Sequence, residues 1–292
     1  MIALFERSVY VEGRAGLACL GPPSLGAGPL NALCALPAGL GRPAWGLASG
    51  APVCFGPGTI RIAGGPVFSL AAARDWRPPP LPREWRADDL RRGLAALAAA
   101  ARARAPDAGM GAMIPALVAG ASPSFTVAAP DPFRRAAAHG ASALVEWLAR
   151  GEHGPPALPA DADVLIGLGP GLTPSGDDFV VGAMIALRCL RAQARAERLA
   201  AWALARAEAN TGKISRAHLA CAADGEGAAA LHDALAALCV PGSASLATCL
   251  DAIDAIGHCS GWDALAGATA ACAAFIPVTA YLNDYAGTLV KR

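Results

Sequence analysis

The sequence predicts an α+β protein, with a β-rich N-terminal module followed by a mainly helical C-terminal domain, and three observations carry that expectation. Twenty of the 24 prolines lie before residue 161. The same N-terminal stretch holds short apolar runs bounded by Gly or Pro, whereas the chain beyond it is alanine-rich and helix-friendly almost throughout. With 54% hydrophobic and only 16% charged residues, the chain has enough apolar surface for a packed core, which excludes disorder.

Residues 1–85 read as the β-rich module, with β-like runs at 8–12, 53–55, 59–62 and 67–70. Pro78, Pro79 and Pro80 then break the chain. Residues 86–160 read as a helical and loop connection. Helical periodicity covers 88–105 and 133–150, and the first of these opens on Asp88 and Asp89 and closes on Arg102 and Arg104, the order the helix dipole favours. A Gly/Pro/Ser-rich loop joins the two. Residues 161–292 read as a helical domain carrying a glycine-rich loop. Here Val164, Leu165 and Ile166 are expected as a short buried strand. Helices follow over 174–193, 195–210, 215–224, 226–239, 243–256 and 260–275, punctuated by Gly212, Gly225, Pro241 and Gly257. No internal repeat of constant period is evident.

With 24 basic and 23 acidic residues, the chain has no net field that would draw it onto nucleic acid or an anionic membrane, so small anionic molecules and other proteins are the expected partners. Nine cysteines, an odd count without a Cys-x-x-Cys pair, read as small buried hydrophobes in a reducing cytoplasm. Glu6 and Arg7 interrupt the N-terminus before a signal-peptide core can form, which also points to the cytoplasm. Residues 264–283 lack charge over a span long enough for a bilayer. They are rich in Ala, Gly and Thr, contain Pro277 and lack basic flanks, so a buried helix is expected instead.

The most unusual segment runs Gly167-Leu168-Gly169-Pro170-Gly171-Leu172-Thr173-Pro174-Ser175-Gly176-Asp177-Asp178. Thr173 is the expected N-cap and Pro174 the first helical residue, leaving backbone N–H groups and the positive end of the helix dipole facing the glycines. Gly169, Gly171 and Gly176, with Thr173 and Ser175, therefore suit a phosphate or a carboxylate. The spacing fits neither a dinucleotide fingerprint nor a nucleotide P-loop, so neither nucleotide nor haem is implied. The simpler reading is that Asp177 and Asp178 only complement the helix start. Two carboxylates would repel a bare anion, and Mg²⁺ held by Asp177, Asp178 and Asp263 is the expected reconciler. Of the three, Asp177 is the expected cap, and Asp178 and Asp263 are the expected metal or substrate groups.

A second segment, Asn210-Thr211-Gly212-Lys213-Ile214-Ser215, has Ile214 where a P-loop needs a hydroxyl. A helix C-cap at Gly212 and an N-cap at Ser215 explain it most simply. Asn210, Thr211 and Ser215 remain candidate anion contacts, and Lys213 a candidate point charge for phosphate. The third segment is Gly257-His258-Cys259-Ser260-Gly261-Trp262-Asp263. Ser260 with Asp263 resembles a capping box. Without a Gly-x-Ser-x-Gly elbow, a Ser or Cys nucleophile is disfavoured. The candidate catalytic set is thus Asp178, Asp263, Lys213 and His258, with Ser260 and Gly261 as binding residues.

Taken together, the three segments resemble the AllH family, long catalogued as a bacterial domain of unknown function, and the likeness covers nearly the whole chain. Its specific part is the twelve-residue loop that begins at Gly167. The resemblance implies a subunit of the oxamate carbamoyltransferase of allantoin degradation. That enzyme works with two further subunits and exchanges a carbamoyl group between carbamoyl phosphate and oxamate, giving oxalurate. It assigns no catalytic residues, and Cys259 stands where Ser or Thr is expected, which speaks against a thiol nucleophile. A looser likeness links Gly176, Asp177 and Asp178 with Asp263 through Gly267 to the ADP-ribosylglycohydrolases, which implies a Mg²⁺-dependent hydrolase as the alternative. The doubled aspartate of that family is missing, because Trp262 and Ala264 flank Asp263. A noncatalytic scaffold that stabilises a partner is the third possibility, and turnover by the isolated chain separates the hydrolase from it.

Overall fold

Alternating apolar and polar residues build the first of two compact units, Met1–Pro78. The computed structural model describes residues 1, 3–5, 8–14, 16–34, 49–80, 84–123, 131–150 and 157–276. Strands β1 (Ala3–Leu4), β2 (Val9–Gly13), β3 (Gly16–Gly21) and β4 (Asn31–Leu33) form one sheet in that order. Its first three strands are antiparallel, and β4 joins β3 in parallel. Strands β5 (Val53–Gly56), β6 (Thr59–Ile62) and β7 (Val67–Ser69) form an antiparallel meander. Val9 and Val11 from β2, Leu20 from β3, Ile60 and Ile62 from β6 and Phe68 from β7 share one apolar core. Their spacing of two within each strand puts them on one face.

The second unit, Pro79–Arg292, is helical. It contains α1 (Ala87–Arg104), α2 (Ile114–Val118), α3 (Pro132–Ala149), α4 (Ser175–Cys189), α5 (Gln193–Asn210), α6 (Lys213–Ala223), α7 (Ala229–Cys239), α8 (Leu246–Asp254) and α9 (Ser260–Ala273). The α+β expectation is borne out. Leu90, Leu94, Leu97 and Ala101 line the buried stripe of α1 at helical spacing. Asp131 caps α3, its carboxylate accepting the Phe133 N–H at 3.0 Å, with Pro132 in the first helical position. Helix α4 is buried along its length except at Arg188, and α9 nearly so, which makes them the centre of the unit.

Several local expectations are corrected. Val164, Leu165 and Ile166 are not a strand, because Ala160–Leu165 forms a 3-10 turn that starts after Pro159. All the strands described lie in the first unit, and within the second Leu165 and Ile166 are buried while Val164 is exposed. Helix α4 starts at Ser175 with Pro174 as its N-cap, not at Pro174 with Thr173 as its cap. Gly212 caps the start of α6, so Ser215 lies inside the first turn rather than at the cap. Cys259, not Ser260, is the N-cap of α9, and the capping box does not form. The uncharged run ends its helix at Ala273, and among the described residues no helix is long and apolar enough to cross a membrane. Residues 277–283 of that run lie outside the described residues.

Candidate functional site

Four glycines let helix backbones meet directly around the starts of α4 and α9. A Cβ at Gly182 would lie 1.7 Å from the Ala264 carbonyl oxygen, and one at Gly267 would lie 1.7 Å from that of Phe179. The relation is reciprocal, each glycine meeting the residue three before the other. Gly176 and Gly261 allow equally close approaches to other elements, where a Cβ would lie 2.0 Å from the Leu165 oxygen of the 3-10 turn and 2.3 Å from the Ile253 oxygen of α8. The sequence carries the same symmetry. Ser175-Gly176-Asp177-Asp178-Phe179-Val180-Val181-Gly182 and Ser260-Gly261-Trp262-Asp263-Ala264-Leu265-Ala266-Gly267 share the pattern Ser-Gly-x-Asp-x-x-x-Gly. Asp and the second Gly are four apart, so each aspartate sits on the face of its helix that meets the other helix.

The side chains follow the crossing. Thr173 and Ser260 hydroxyls hydrogen-bond Asp178 from the α4 and α9 sides. Ser175 hydrogen-bonds Asp263 in the converse direction, joined by the Cys259 thiol and the backbone N–H groups of Met110 and Gly111. Thr173 Oγ1 and Ser260 Oγ stand 3.1 Å apart, and Ser175 Oγ and Cys259 Sγ 3.8 Å. Asp178 is 8% exposed and Asp263 fully buried. The Oδ2 atom of each has no hydrogen-bond partner among the described residues.

Burial pushes the Asp178 carboxyl well above the usual carboxylate range, and the nearby Asp263 and Asp177 charges push it further against the Ser260 and Thr173 hydrogen bonds. Burial also raises Asp263, while its four donors pull it down. Burial and the neighbouring Asp263 carry Cys259 up to about 12, so at neutral pH it is a thiol, not a thiolate nucleophile.

Asp177 has a different neighbourhood. One oxygen accepts the Gly167 N–H at 2.8 Å, and the other accepts the Thr211 hydroxyl and the Ser215 hydroxyl, the latter at 2.6 Å. The buried carboxylate thereby ties the glycine loop to the turn between α5 and α6. At the same junction Gly167, at φ +81°, packs so closely that a Cβ would lie 2.1 Å from the Asn210 carbonyl oxygen. The Gly176 N–H, expected to be free for an anion, is taken by the Leu168 carbonyl at 2.9 Å. Gly169 and Gly171 also have positive φ, and Pro170, Gly171 and Leu172 are exposed at the loop tip. Asn210 donates to the Arg206 carbonyl of its own helix. Lys213 is exposed at the first residue of α6, and His258 is exposed in the turn before α9. No group of three or more His, Cys, Asp or Glu side chains among the described residues is arranged to hold a metal ion.

Residues 165–272 match the AllH family, described as oxamate carbamoyltransferase subunit AllH. The match starts at the entrance to the glycine loop and ends inside α9, so it contains both Ser-Gly-x-Asp segments and bears out the resemblance over that stretch. No curated protein and no solved structure matches the chain.

Proposed function

We propose that this chain is one subunit of a carbamoyltransferase-type complex, working with two other subunits on carbamoyl phosphate and oxamate or a related small acid. The observation that supports this most is the AllH match, which contains both crossed helix starts. Two helix N-termini converging on one point favour negative charge, as the phosphate and carboxylate of such substrates require. In this reading the anion meets the loop at Gly169 and Gly171 and the hydroxyls of Thr173 and Ser260, with Lys213 as a more distant point charge. Asp177, with Asn210, Thr211 and Ser215 beneath it, keeps the loop in shape.

A second reading is favoured by the two Oδ2 atoms that have no partner among the described residues. Asp178 and Asp263 then supply two carboxylates to Mg²⁺, which takes up phosphate oxygens for the rest of its shell. Mg²⁺-dependent hydrolysis by the isolated chain, as in the ADP-ribosylglycohydrolases, is the signature of that reading.

Coexpression of the chain with the products of its flanking genes, followed by purification and a carbamoyl-transfer assay, tests the proposal. The expected result is a stable complex that transfers carbamoyl groups, while the pure chain neither transfers them nor hydrolyses carbamoyl phosphate. Robust turnover by the pure chain overturns it.

A further inference from the structure

We propose that Asp178 reads the NH2 group of a primary carboxamide, and that this contact selects an amide-bearing substrate from ketones and carboxylates of the same shape. The proposal rests on the reading of the crossed helix starts as the substrate site. Its support is a comparison of the two halves of the crossing, which repeat each other's contacts reciprocally. Ser260 of α9 hydrogen-bonds Asp178, and Ser175 of α4 hydrogen-bonds Asp263. A residue just before each serine adds a second donor, the Thr173 hydroxyl to Asp178 and the Cys259 thiol to Asp263. Gly182 meets the carbonyl of Ala264 and Gly267 that of Phe179, the residues that follow the two aspartates.

One element breaks the repeat. The turn Gly109-Met110-Gly111, between α1 and α2, brings the Met110 N–H to Asp263 Oδ1 at 2.5 Å and adds the N–H of Gly111. That approach requires glycine on both sides of Met110. A Cβ at Gly109, whose φ is +78°, would lie 2.3 Å from Asp263 Oδ1, and one at Gly111 would lie 2.8 Å from the Trp262 Cβ. Two successive peptide amides are thus built onto Asp263. Asp178 receives no backbone N–H of this kind among the described residues, and its Oδ2 has no hydrogen-bond partner among them. Asp263 Oδ2 shares that condition but is fully buried, whereas Asp178 has an exposed edge from which a ligand can reach it.

The group that suits Asp178 is the one the fold itself supplies to Asp263, the N–H of a planar amide. A primary carboxamide carries its N–H bonds on a flat unit as the turn does, and leaves its acid end to the glycine loop, where the helix starts favour negative charge. A methyl in place of the NH2 has no proton to donate, and a carboxylate oxygen there adds a like charge. Either one leaves the buried acceptor unpaired or opposed. Oxamate, pyruvate and oxalate differ in this way alone, with NH2, CH3 and O⁻ on the same oxoacid frame.

Titration calorimetry with these three probes in the presence of EDTA, on the full chain alone and on the complex purified with it, tests the contact. Oxamate should bind, and pyruvate and oxalate should bind more weakly by on the order of 100-fold or more. Asp178→Asn sets an NH2 against that of the ligand, so oxamate should fall to within about tenfold of pyruvate. Four results overturn the proposal: no binding of oxamate by either preparation, pyruvate or oxalate bound as tightly as oxamate, selectivity that requires Mg²⁺, or selectivity that survives in folded Asp178→Asn. Should the variant not fold, the wild-type comparison decides by itself. A complex that transfers carbamoyl groups without this selectivity removes the amide contact and keeps the proposed function. A chain that shows the selectivity while its complex transfers no carbamoyl group removes the proposed function instead.

Discussion

At the start of α4, two adjacent aspartates occupy opposite electrostatic settings. On the glycine-loop side, Asp177 accepts from Gly167, Thr211 and Ser215 and is fully engaged. On the α9 side, Asp178 faces Asp263, and each has one oxygen with no partner among the described residues. A carboxylate ringed by donors fastens structure, whereas one held against its like retains a free energy that protonation, a cation or a substrate can relieve. The difference arises because neighbours on a helix diverge by roughly 100°, so one residue turns to the loop and the next to the partner helix.

The largest effect is expected where the backbones cross. Gly182→Ala or Gly267→Ala places a methyl within 2 Å of a backbone carbonyl, so the helices must part. A loss of about 3 kcal/mol or more, read from urea unfolding, is expected from such overpacking. A change below about 1 kcal/mol at either glycine would mean that the crossing is not tight.

Next comes the clamp. Asp177→Ala leaves the Gly167 N–H and two hydroxyls without their acceptor, and a loss of about 2–4 kcal/mol is expected. Ser215→Ala removes one donor only and should cost about 1 kcal/mol. If the two variants prove equal, the carboxylate is not the hub of the clamp.

The pair responds to pH in the opposite sense to a salt-bridged carboxylate. A carboxyl raised in the folded state stabilises fully below its unfolded value of 3.8, and that stability is lost as pH climbs toward the folded value. Melting temperature should therefore decline as pH rises above about 4, and Asp178→Asn should flatten the decline. A wild-type protein that gains stability over this range, with the variant following it in parallel, contradicts the raised carboxyl. The smallest effect is expected at the loop tip. Gly171→Ala meets open space and suffers only from its φ of +96°, a cost of about 1 kcal/mol by thermal melting.

Much of the helical unit is legible from the sequence, because Gly and Pro bound its apolar stretches and caps fix their ends to within a few residues. The strand expected at Val164 fails because three apolar residues have no period that separates a strand from a turn. The crossing is written in the sequence, but as two copies of Ser-Gly-x-Asp-x-x-x-Gly far apart in the chain. A search for a constant period passes over such a pair, although the spacing of Gly182 from Asp178 and of Gly267 from Asp263 marks one helix face in each. The donors from Met110 and Gly111 leave no trace, since every residue except proline offers a backbone N–H and only the fold decides where it points.

A double-mutant cycle of Asp178→Asn and Asp263→Asn, measured as unfolding free energy at pH 7 and again near pH 4, tests most directly whether the two carboxyl groups form one unit. The two substitutions should be strongly non-additive at pH 7, with a coupling of about 1 kcal/mol or more, because removing either group relieves the same conflict. The coupling should shrink near pH 4, where protonation has already relieved it. Additive effects within about 0.5 kcal/mol at both pH values would contradict the account.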